Sequence, residues 1–355
     1  MSDTEKQKTE AQRRASLISG FQPRTDLGCG GAGERGEESG KLRGVRVREW
    51  QHGERRIRLT EVAILDERGA KAMGKPVGTY LTLEAPELAK EDESYHQEAS
   101  AELGEQLLSL VQKCCPDNPK PRILIAGLGN LQVTPDSLGP RVVEQLQMTR
   151  HLNMEYDPGF CRRNALPVLS GIVPGVMAQT GMETAEIIKG IVGQTGPDLL
   201  IAVDALAARS IRRLTATIQL TDTGIHPGSG VGNHRHSLTK ESLGVPVMAI
   251  GVPTVVGAAA IVHDTVSALV GVLAENEGTR GTGSWIEEMD PDGQYQLIRE
   301  LLEPEFGPLY VTPPDIDQSV KQLSFTISEG IHQAVFRKVT KQAISSAFLH
   351  IIIIV

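Results

Sequence analysis

RILIAGLGNLQVTPDSLGPRVV, Arg122–Val143, is the stretch of the chain that decides the fold. Its apolar beginning predicts a buried strand, which ends at the turn GLG at residues 127–129. A dinucleotide-binding fingerprint would place its third glycine at position 132, but Gln132 stands there. Asp136 follows, between a proline and the sequence SLGP. The stretch therefore predicts a strand and a turn that presents a carboxylate rather than binding a phosphate.

The segments around this stretch alternate between strand patterns and helix patterns. Strands are predicted at 43–63, 78–84 and 122–126. Three more are predicted, one in PDLLIAVDALAARSIRRL that ends at Asp204, one in TATIQLTD and one in VPVMAIGVP. Helices are predicted at 97–114, 140–152, from about 183, and at 255–273, 294–303 and 316–347, with PVLSGIVPGVMAQTGMET as a loop. The alternation predicts one α/β domain with a mostly parallel or mixed sheet flanked by helices.

The composition indicates a sizeable apolar core and an acidic surface. Hydrophobic residues make up 40% of the 355 residues, whereas aromatic residues make up only 4%. The formal net charge of −8 argues against a general nucleic-acid binder, because binding to phosphates needs a basic surface. We therefore expect an aliphatic α/β protein whose partners do not include nucleic acids.

The cysteines and the two termini bear on the cellular compartment. Cys29, Cys114, Cys115 and Cys161 form no CxxC pair, and their spacing suggests neither zinc nor a disulfide framework. The N-terminal residues MSDTEKQKTEAQRRAS are polar and contain no signal-peptide core. The terminal run IIIIV is much shorter than the roughly 20 apolar residues that cross a bilayer. We therefore expect a cytoplasmic protein that is neither exported nor anchored.

Two aspartates follow predicted strands, and their chemistry suggests a catalytic pair. Asp204 is expected directly at the end of its strand, and Asp136 after a longer loop. Open α/β sheets bind ligands at the carboxyl ends of parallel strands, so neighbouring strands would bring the two carboxylates across one crevice. Two close carboxylates do not both ionise easily, so one keeps a proton while the other acts as a base. Such a pair can activate water and protonate a peptide group.

Each of these residues also has a plainer interpretation. Asp136 would cap the helix predicted at 140–152, and Asp204 would cap a helix after its strand. Arg209, expected one turn into that second helix, would pair with a carboxylate, hold substrate backbone or form a surface salt bridge. The residues alone leave the catalytic and the capping interpretations open.

The stretch TDTGIHPGSGVGNHRH, residues 221–236, combines glycines with histidines. Its GxGxG pattern is a weak nucleotide-binding signal, because no helix pattern follows directly. The histidines lack the spacing of a HExxH site or of a site shared with cysteines. We expect a rigid loop that shapes a cleft, with His226 either facing the cleft or serving the structure. No serine lies in GxSxG and no cysteine has a convincing histidine partner, so serine or thiol hydrolysis is not expected.

Four long segments resemble the germination proteases of endospore-forming bacteria. They are GLGNLQVTPDSLGPRVVEQLQMTRHL, PGVMAQTGMETAEIIKGIV, PDLLIAVDALAARSIRRLTATIQLTDTGIHPGSGVGN and LGVPVMAIGVPTVV. The resemblance covers about residues 24–264 and continues thinly through LYVTPPDID at 309–317. It implies a single α/β domain of the phosphorylase/hydrolase-like type.

The resemblance implies an endopeptidase that degrades the small acid-soluble proteins of the spore during germination. The family is classed with the aspartic-type peptidases, and its two aspartates match Asp136 in VTPDSLGP and Asp204 in AVDALAAR. Gly127, Gly129 and Asn130 would shape the turn beside Asp136. The family's inactive tetrameric precursor implies a homotetramer in the cytoplasm of the spore core, with no cofactor, metal or membrane partner.

The same resemblance gives roles to the cleft and to the leader. Arg209, His226, Gly228 and Gly230 would line the cleft around the aspartates. PRTDLG resembles the self-cleavage site of the family, so cleavage is expected between Asp26 and Leu27. Residues 1–26 would then be a propeptide and 27–355 the peptidase domain, with its core at about 43–276 and a helical part at about 277–355.

Two other functions are alternatives. The core is also similar to the hydrogenase maturation endopeptidases, whose acidic residues and a histidine surround nickel. A metal-dependent maturation peptidase is therefore one alternative, with His226 as the third ligand. A catalytically silent protein that holds spore proteins is the other. Sensitivity to a chelator would favour the first alternative, and an absence of cleavage would favour the second.

Overall fold

Nine strands form one mixed sheet within residues 43–52, 57–226, 236–275 and 291–336, which are the residues that this computed structural model describes. The strands are β1 Val45–His52, β2 Ile57–Ile64, β3 Gly78–Glu84, β4 Arg122–Gly127, β5 Val168–Ile172, β6 Leu199–Ala208, β7 Thr217–Thr221, β8 Val247–Gly257 and β9 Tyr310–Val311. Their order is β1-β2-β3-β7-β8-β6-β4-β5, and β9 pairs with β8. Strands β8, β6, β4 and β5 are parallel, whereas the other pairs are antiparallel. The predicted mixed α/β sheet is confirmed.

Helices lie on both faces of this sheet. They are α1 Glu67–Met73, α2 Glu93–Cys114, α3 Leu138–Gln145, α4 Leu152–Glu155, α5 Phe160–Arg163, α6 Met177–Thr180, α7 Thr184–Thr195, α8 Lys240–Leu243, α9 Ala258–Glu275, α10 Pro291–Phe306 and α11 Ile316–Phe336, with 3-10 turns at Thr134–Asp136 and Ile211–Arg213. Among the described helices, none combines the length and the apolar character needed to cross a membrane.

The two faces of β6 are buried by different helices. Val203 belongs to the core formed with α2, α3 and α11. Ala202 belongs to a second core formed with α7 and α8, which includes Ile188 and Leu243. Because side chains alternate along a strand, Asp204 projects to the same face as Ala202. Burial on both faces explains why β6 is apolar almost throughout.

Helix α11 crosses α2 on the first of these faces. Buried His96 of α2 has Nδ1 2.7 Å from Oγ1 of Thr326 on α11, and its Nε2 lies 2.8 Å from the carbonyl oxygen of Lys90. Ser100 Oγ also donates a hydrogen bond to the carbonyl of Thr326 at 3.1 Å. The long C-terminal helix is thereby fixed to a helix that lies more than 200 residues earlier in the chain.

One sequence prediction about β6 is wrong. The strand does not end at Asp204, and no helix follows it directly, because β6 continues to Ala208. The four residues after Asp204 are apolar and keep pairing with β8, through a shift of register between Leu206 and Ala207. Arg209 therefore lies in a bend after the strand and not one turn into a helix.

Three other boundaries also differ from the sequence prediction. Residues 168–172, predicted as loop, form the edge strand β5, whose five residues are too few for a clear periodic pattern. The helix predicted at 140–152 is α3, which ends at Gln145 because the backbone of Leu146 is extended. The helix predicted from residue 255 begins at Ala258, because β8 extends through Gly257.

Several predictions fall on residues outside the described part of the chain. These are the cleavage site at Asp26 and Leu27 with the propeptide 1–26, the cleft residues Gly228 and Gly230, residues 277–290, and residues 337–347 of the last predicted helix.

Candidate active site

The turn that carries Asp136 begins at the end of β4. The chain leaves the strand at Gly127 and reaches Asp136 at the end of a 3-10 turn, directly before α3. The backbone N–H of Asn130 donates a hydrogen bond to Oδ2 of Asp136 at 2.7 Å. Asp136 is half-buried. The turn thus holds the carboxylate from one side and leaves part of the residue at the surface.

Gly129 makes this arrangement sterically possible. Its φ of +114° is a conformation that residues with a side chain rarely adopt. A Cβ added at Gly129 would lie 2.0 Å from the backbone oxygen of Asp136 and 3.1 Å from its Oδ1. The glycine that resembles a nucleotide-binding motif therefore makes room for a carboxylate.

Two further glycines bring the start of α3 against β4 and β6. A Cβ at Gly127 would lie 2.3 Å from the carbonyl oxygen of Gly139, and a Cβ at Gly139 would lie 2.3 Å from the carbonyl oxygen of Val203. Asp204 is the next residue after Val203, and Asp136 precedes Gly139 by one short turn. This close packing brings the two aspartates to the same region of the β4–β6 pair.

Asp204 is held by the sheet itself. It is 7% exposed, and its Cα pairs with Gly251 of β8, a residue without a side chain. Oδ1 of Asp204 accepts a hydrogen bond from the N–H of Ala205 at 3.0 Å. The carboxylate therefore starts from a rigid, buried strand and points to the face that α7 covers.

The helix-capping interpretation is wrong for both aspartates. Ser137 is the N-cap residue of α3 and its side chain makes no capping bond, whereas Asp136 accepts the N–H of Asn130. Asp204 lies within β6, with strand residues on both sides. Strands β4 and β6 are parallel neighbours, as the catalytic interpretation requires.

Contacts from other elements brace the Asp136 turn. Thr134 Oγ1 donates to Oδ1 of Asp317, at the start of α11, at 3.1 Å. Ser137 Oγ donates to the carbonyl oxygen of Thr134 at 2.8 Å, and Nε of Arg141 donates to Ser137 Oγ at 3.0 Å. Sequence reasoning missed these residues, although Ser137 lies inside the motif VTPDSLGP.

A second group of residues that sequence reasoning missed lies on the other side of the turn. Nε2 of Gln179, on α6, donates to Oδ1 of Asn130 at 3.0 Å and lies 3.4 Å from Oε1 of Gln132. The N–H of Gln132 donates to the same oxygen of Asn130 at 3.0 Å. No local sequence pattern pointed to Gln179, because the contact joins residues 49 positions apart.

Arg209 lies beyond the end of β6, half-buried, in a segment that Asp264 of α9 holds. Ser210 Oγ donates to Oδ2 of Asp264 at 2.8 Å, and the N–H of Ile211 donates to the same oxygen at 2.9 Å. Burial raises the pKa of Asp264, but the hydrogen bonds from His263, Ile211 and Ser210 outweigh burial and hold this pKa below its usual value. The position of Arg209 is therefore well defined, while its role toward a substrate stays a prediction.

His226 is exposed and is the last described residue before position 227. Its neighbour Ile225 pairs with Leu238, and both are buried in the core that covers the Asp204 face of the sheet. His226 thus adjoins a residue of the core on the Asp204 face, and its contact with a cleft is still a prediction. Among the described residues, no three or more His, Cys, Asp and Glu side chains are grouped in a way that could hold a metal ion.

A cavity opens farther along β6 and β8. Its walls include Ala207, Tyr295, Arg299 and Tyr310, and neither aspartate lines it. Since Ala207 is three residues beyond Asp204, the cavity begins roughly 10 Å along the strand from that residue. It neighbours the aspartates without containing them.

The arrangement has the elements of carboxylate-pair chemistry. Asp204 is buried on a strand, and Asp136 is half-buried on a turn that packs against the same strand. Two carboxyl groups in one region can hold a proton between them, so that one donates and the other accepts. Hydrolysis of an amide needs both of these functions.

Comparisons with known proteins match the chain to one family of proteases. A model of the germination protease family matches residues 30–284. The chain is 48% identical to the germination protease of Caldanaerobacter subterraneus subsp. tengcongensis over 295 residues, which are 83% of this chain and 89% of the relative. It is 41% identical to that of Clostridium tetani over 299 residues, 84% and 90% of the two chains. It is 38% identical to that of Bacillus subtilis over 333 residues, 85% and 89% of the two chains.

These matches show that the protein is a peptidase. The chain belongs to the germination protease family. The resemblance found in the sequence motifs is thereby confirmed.

Proposed function

We propose that the chain is an aspartic-type endopeptidase that begins the degradation of small acid-soluble spore proteins during germination. The observation that carries the proposal is the contact of Gly139 with the backbone of Val203, in a member of the germination protease family. This contact places the turn of Asp136 against the residue that precedes Asp204. Asp136 and Asp204 are the catalytic residues.

The proposed reaction divides acid and base work between the two carboxyl groups. The ionised carboxylate takes a proton from a water molecule, whose oxygen then forms a bond to the carbonyl carbon of the peptide. The protonated carboxyl group gives its proton to the amine that leaves when the C–N bond breaks. The two groups end the cycle with exchanged protonation states, and a third proton transfer, from the newly protonated carboxyl group to the other carboxylate, restores them. Gly127, Gly129 and Asn130 keep Asp136 in place during these steps.

The proposal includes a precursor that processes itself. Residues 1–26 form the propeptide, and the bond between Asp26 and Leu27 is cut by the same site. The mature enzyme is a homotetramer in the cytoplasm of the spore core. Arg209, His226, Gly228 and Gly230 line the cleft. The support for these points is the resemblance of PRTDLG and of the motifs quoted above to the family.

The test uses the chain that begins at Leu27, the mature form in this proposal, and a purified small acid-soluble spore protein, with fragments followed by mass spectrometry. Asp136→Asn and Asp204→Asn remove one carboxylate each, and Asp117→Asn, at an exposed position away from the site, is the matched control. Each reaction is run with and without a chelator. We expect cleavage after an acidic residue that both site variants lose, and that neither Asp117→Asn nor the chelator affects.

Other outcomes identify which part of the proposal fails. Cleavage that persists in Asp136→Asn or Asp204→Asn removes that residue from the mechanism. Loss of cleavage with the chelator alone favours the metal-dependent alternative. An intact spore protein after incubation with the wild-type chain argues for the silent binding protein.

A further inference from the structure

Helix α6 is a single helical turn with a well-defined conformation. Gly175 and Gly181, on either side of it, have φ values of +72° and +71°. The N–H of Gly181 donates to the carbonyl oxygen of Met177 at 2.8 Å, and the N–H of Gln179 donates to that of Val176 at 2.8 Å. The backbone of Gln179 is therefore held by these backbone hydrogen bonds, independently of the contacts of its side chain.

The side chain of Gln179 reaches the aspartate turn through one intermediate residue. Its Nε2 donates to Oδ1 of Asn130, which also accepts the N–H of Gln132. The backbone N–H of Asn130 donates to Oδ2 of Asp136 at 2.7 Å. Gln179 thus holds Asn130, and Asn130 holds the carboxylate of Asp136. Gln179 belongs to α6, whereas Asn130 and Asp136 belong to the turn between β4 and α3.

We propose that Gln179 is a positioning residue for Asp136, which acts by fixing Asn130 against the carboxylate. The inference rests on the proposed function, because it concerns the reaction assigned to Asp136. Gln179 is exposed, so it contributes little to the apolar core, and its side-chain contacts are with Asn130 and Gln132 of the turn.

Charge decides how a change at Gln179 acts. An N–H that donates to a carboxylate favours its ionised form, so a looser Asn130 moves to higher pH whichever limb of the pH–activity profile Asp136 controls. The charged and titratable groups on the elements packed against the turn are Asp204 of β6, Arg141 and Glu144 of α3, and Asp317, Lys321, Glu329 and His332 of α11, while β8 has none. These groups are unchanged when Gln179 is replaced, so a shift of the profile reports on the Asn130 contact.

Two substitutions separate positioning from a merely structural role. Gln179→Ala removes the side-chain amide. Gln179→Glu keeps the size of the side chain but replaces the donor by a carboxylate that faces the acceptor oxygen of Asn130. Gln194→Ala, at an exposed glutamine of α7, is the matched control. All are made in the full chain and left to process themselves to completion, and kcat and KM for a small acid-soluble spore protein are then measured against pH, together with the melting temperature.

We expect Gln179→Ala to lower kcat about 3- to 10-fold, the effect of one lost hydrogen bond, with KM within about 2-fold of the wild type. Gln179→Glu should lower kcat further, and both variants should shift the limb that Asp136 controls to higher pH, while Gln194→Ala and the melting temperatures stay as in the wild type. Unchanged kcat and pH profile in Gln179→Ala, or a milder effect of Gln179→Glu than of Gln179→Ala, would overturn the inference alone. A wild-type chain that cleaves no spore protein would overturn the proposed function and this inference with it.

Discussion

Asp204 and Asp136 are held in different ways, although they lie in one region. Asp204 is 7% exposed within a continuous strand that is paired on both sides. Asp136 is half-buried on a turn that depends on glycine and on contacts from α6, α3 and α11. A carboxylate on a strand takes its position from the backbone of the sheet, whereas the position of a carboxylate on a turn also depends on contacts that single substitutions remove.

The largest effects should come from the carboxylates themselves. Asp136→Asn and Asp204→Asn should each lower kcat by about 10²- to 10⁴-fold, the usual contribution of acid–base catalysis. Asp→Glu substitutions sharpen the comparison: Asp136→Glu should retain more activity than Asp204→Glu, because a half-buried turn adjusts to one extra methylene and a packed strand does not. Steady-state kinetics measures both. Equal loss in the two glutamate variants would contradict the difference in rigidity.

The glycines beneath the turn should have the next largest effect. Gly129→Ala and Gly139→Ala should each lower the free energy of unfolding by about 1–3 kcal/mol, because the new Cβ meets backbone oxygen at 2.0 Å or 2.3 Å. Gly190→Ala on α7 is the control, since a Cβ there meets nothing within 4 Å. It should raise the unfolding free energy by about 0.5–1 kcal/mol. Urea denaturation checks all three, and a neutral Gly129→Ala would contradict the close approach.

An ion pair joins β4 and β6 at their N-terminal ends, away from the two aspartates. Its loss should reduce stability less than the glycine substitutions do. Asp198 accepts hydrogen bonds from the N–H, Nε and Nη2 of Arg122 at 2.8 Å, 3.1 Å and 2.8 Å. The side-chain bond from Arg122 holds the pKa of Asp198 below its usual value. Its stabilisation is therefore present above the ordinary carboxyl pKa and is lost as the pH falls through the lowered one.

The variant Asp198→Asn tests this pair. Its deficit in unfolding free energy, of about 1 kcal/mol, should be constant near neutral pH and should shrink below about pH 4. Urea denaturation at several pH values gives the deficit. A deficit that grows as the pH falls would contradict the assigned sign.

The smallest effect should come from the pair of His236 with Glu183. The hydrogen bond to Glu183 raises the pKa of His236, which lies at the surface. Its stabilisation is fully present below the unfolded pKa of about 6.5 and is lost as the pH rises through the raised value. His236→Gln should therefore lower the melting temperature at about pH 5.5 and leave it unchanged at about pH 9. A larger decrease at the higher pH would show that the pair acts otherwise.

Much of the parallel half of the sheet can be predicted from its apolar runs. RILIAG and VPVMAIGVP are buried strands, and Glu183 marks the start of α7 as its N-cap. The end of β6 cannot be placed in the same way, because AVDALAA stays apolar on both sides of the aspartate. A strand end and a polar residue inside a strand give the same local pattern there. The motifs identified Asp136 and Asp204, but whether these residues are catalytic stays a prediction.

The rest of the candidate site depends on contacts that no local pattern encodes. The sequence shows that residue 139 is a glycine but does not show why a side chain is excluded there. The reason is the carbonyl oxygen of Val203, which lies far along the chain and would clash with a Cβ. The hydrogen bond from Gln179 to Asn130 likewise requires the edge strand β5, which brings α6 back to the turn. Five residues of strand carry too little periodicity to be recognised.

The bond between Thr134 and Asp317 has a consequence for the order in which the protein is made. It joins residues 183 positions apart, and the helix that begins beside Asp317 packs against α2 through Thr326. A ribosome completes β4, α3 and β6 well before it reaches this helix. While synthesis continues, the nascent chain holds both aspartates but lacks this brace of the Asp136 turn. The turn gains this support only after the residues of α11 have been synthesised.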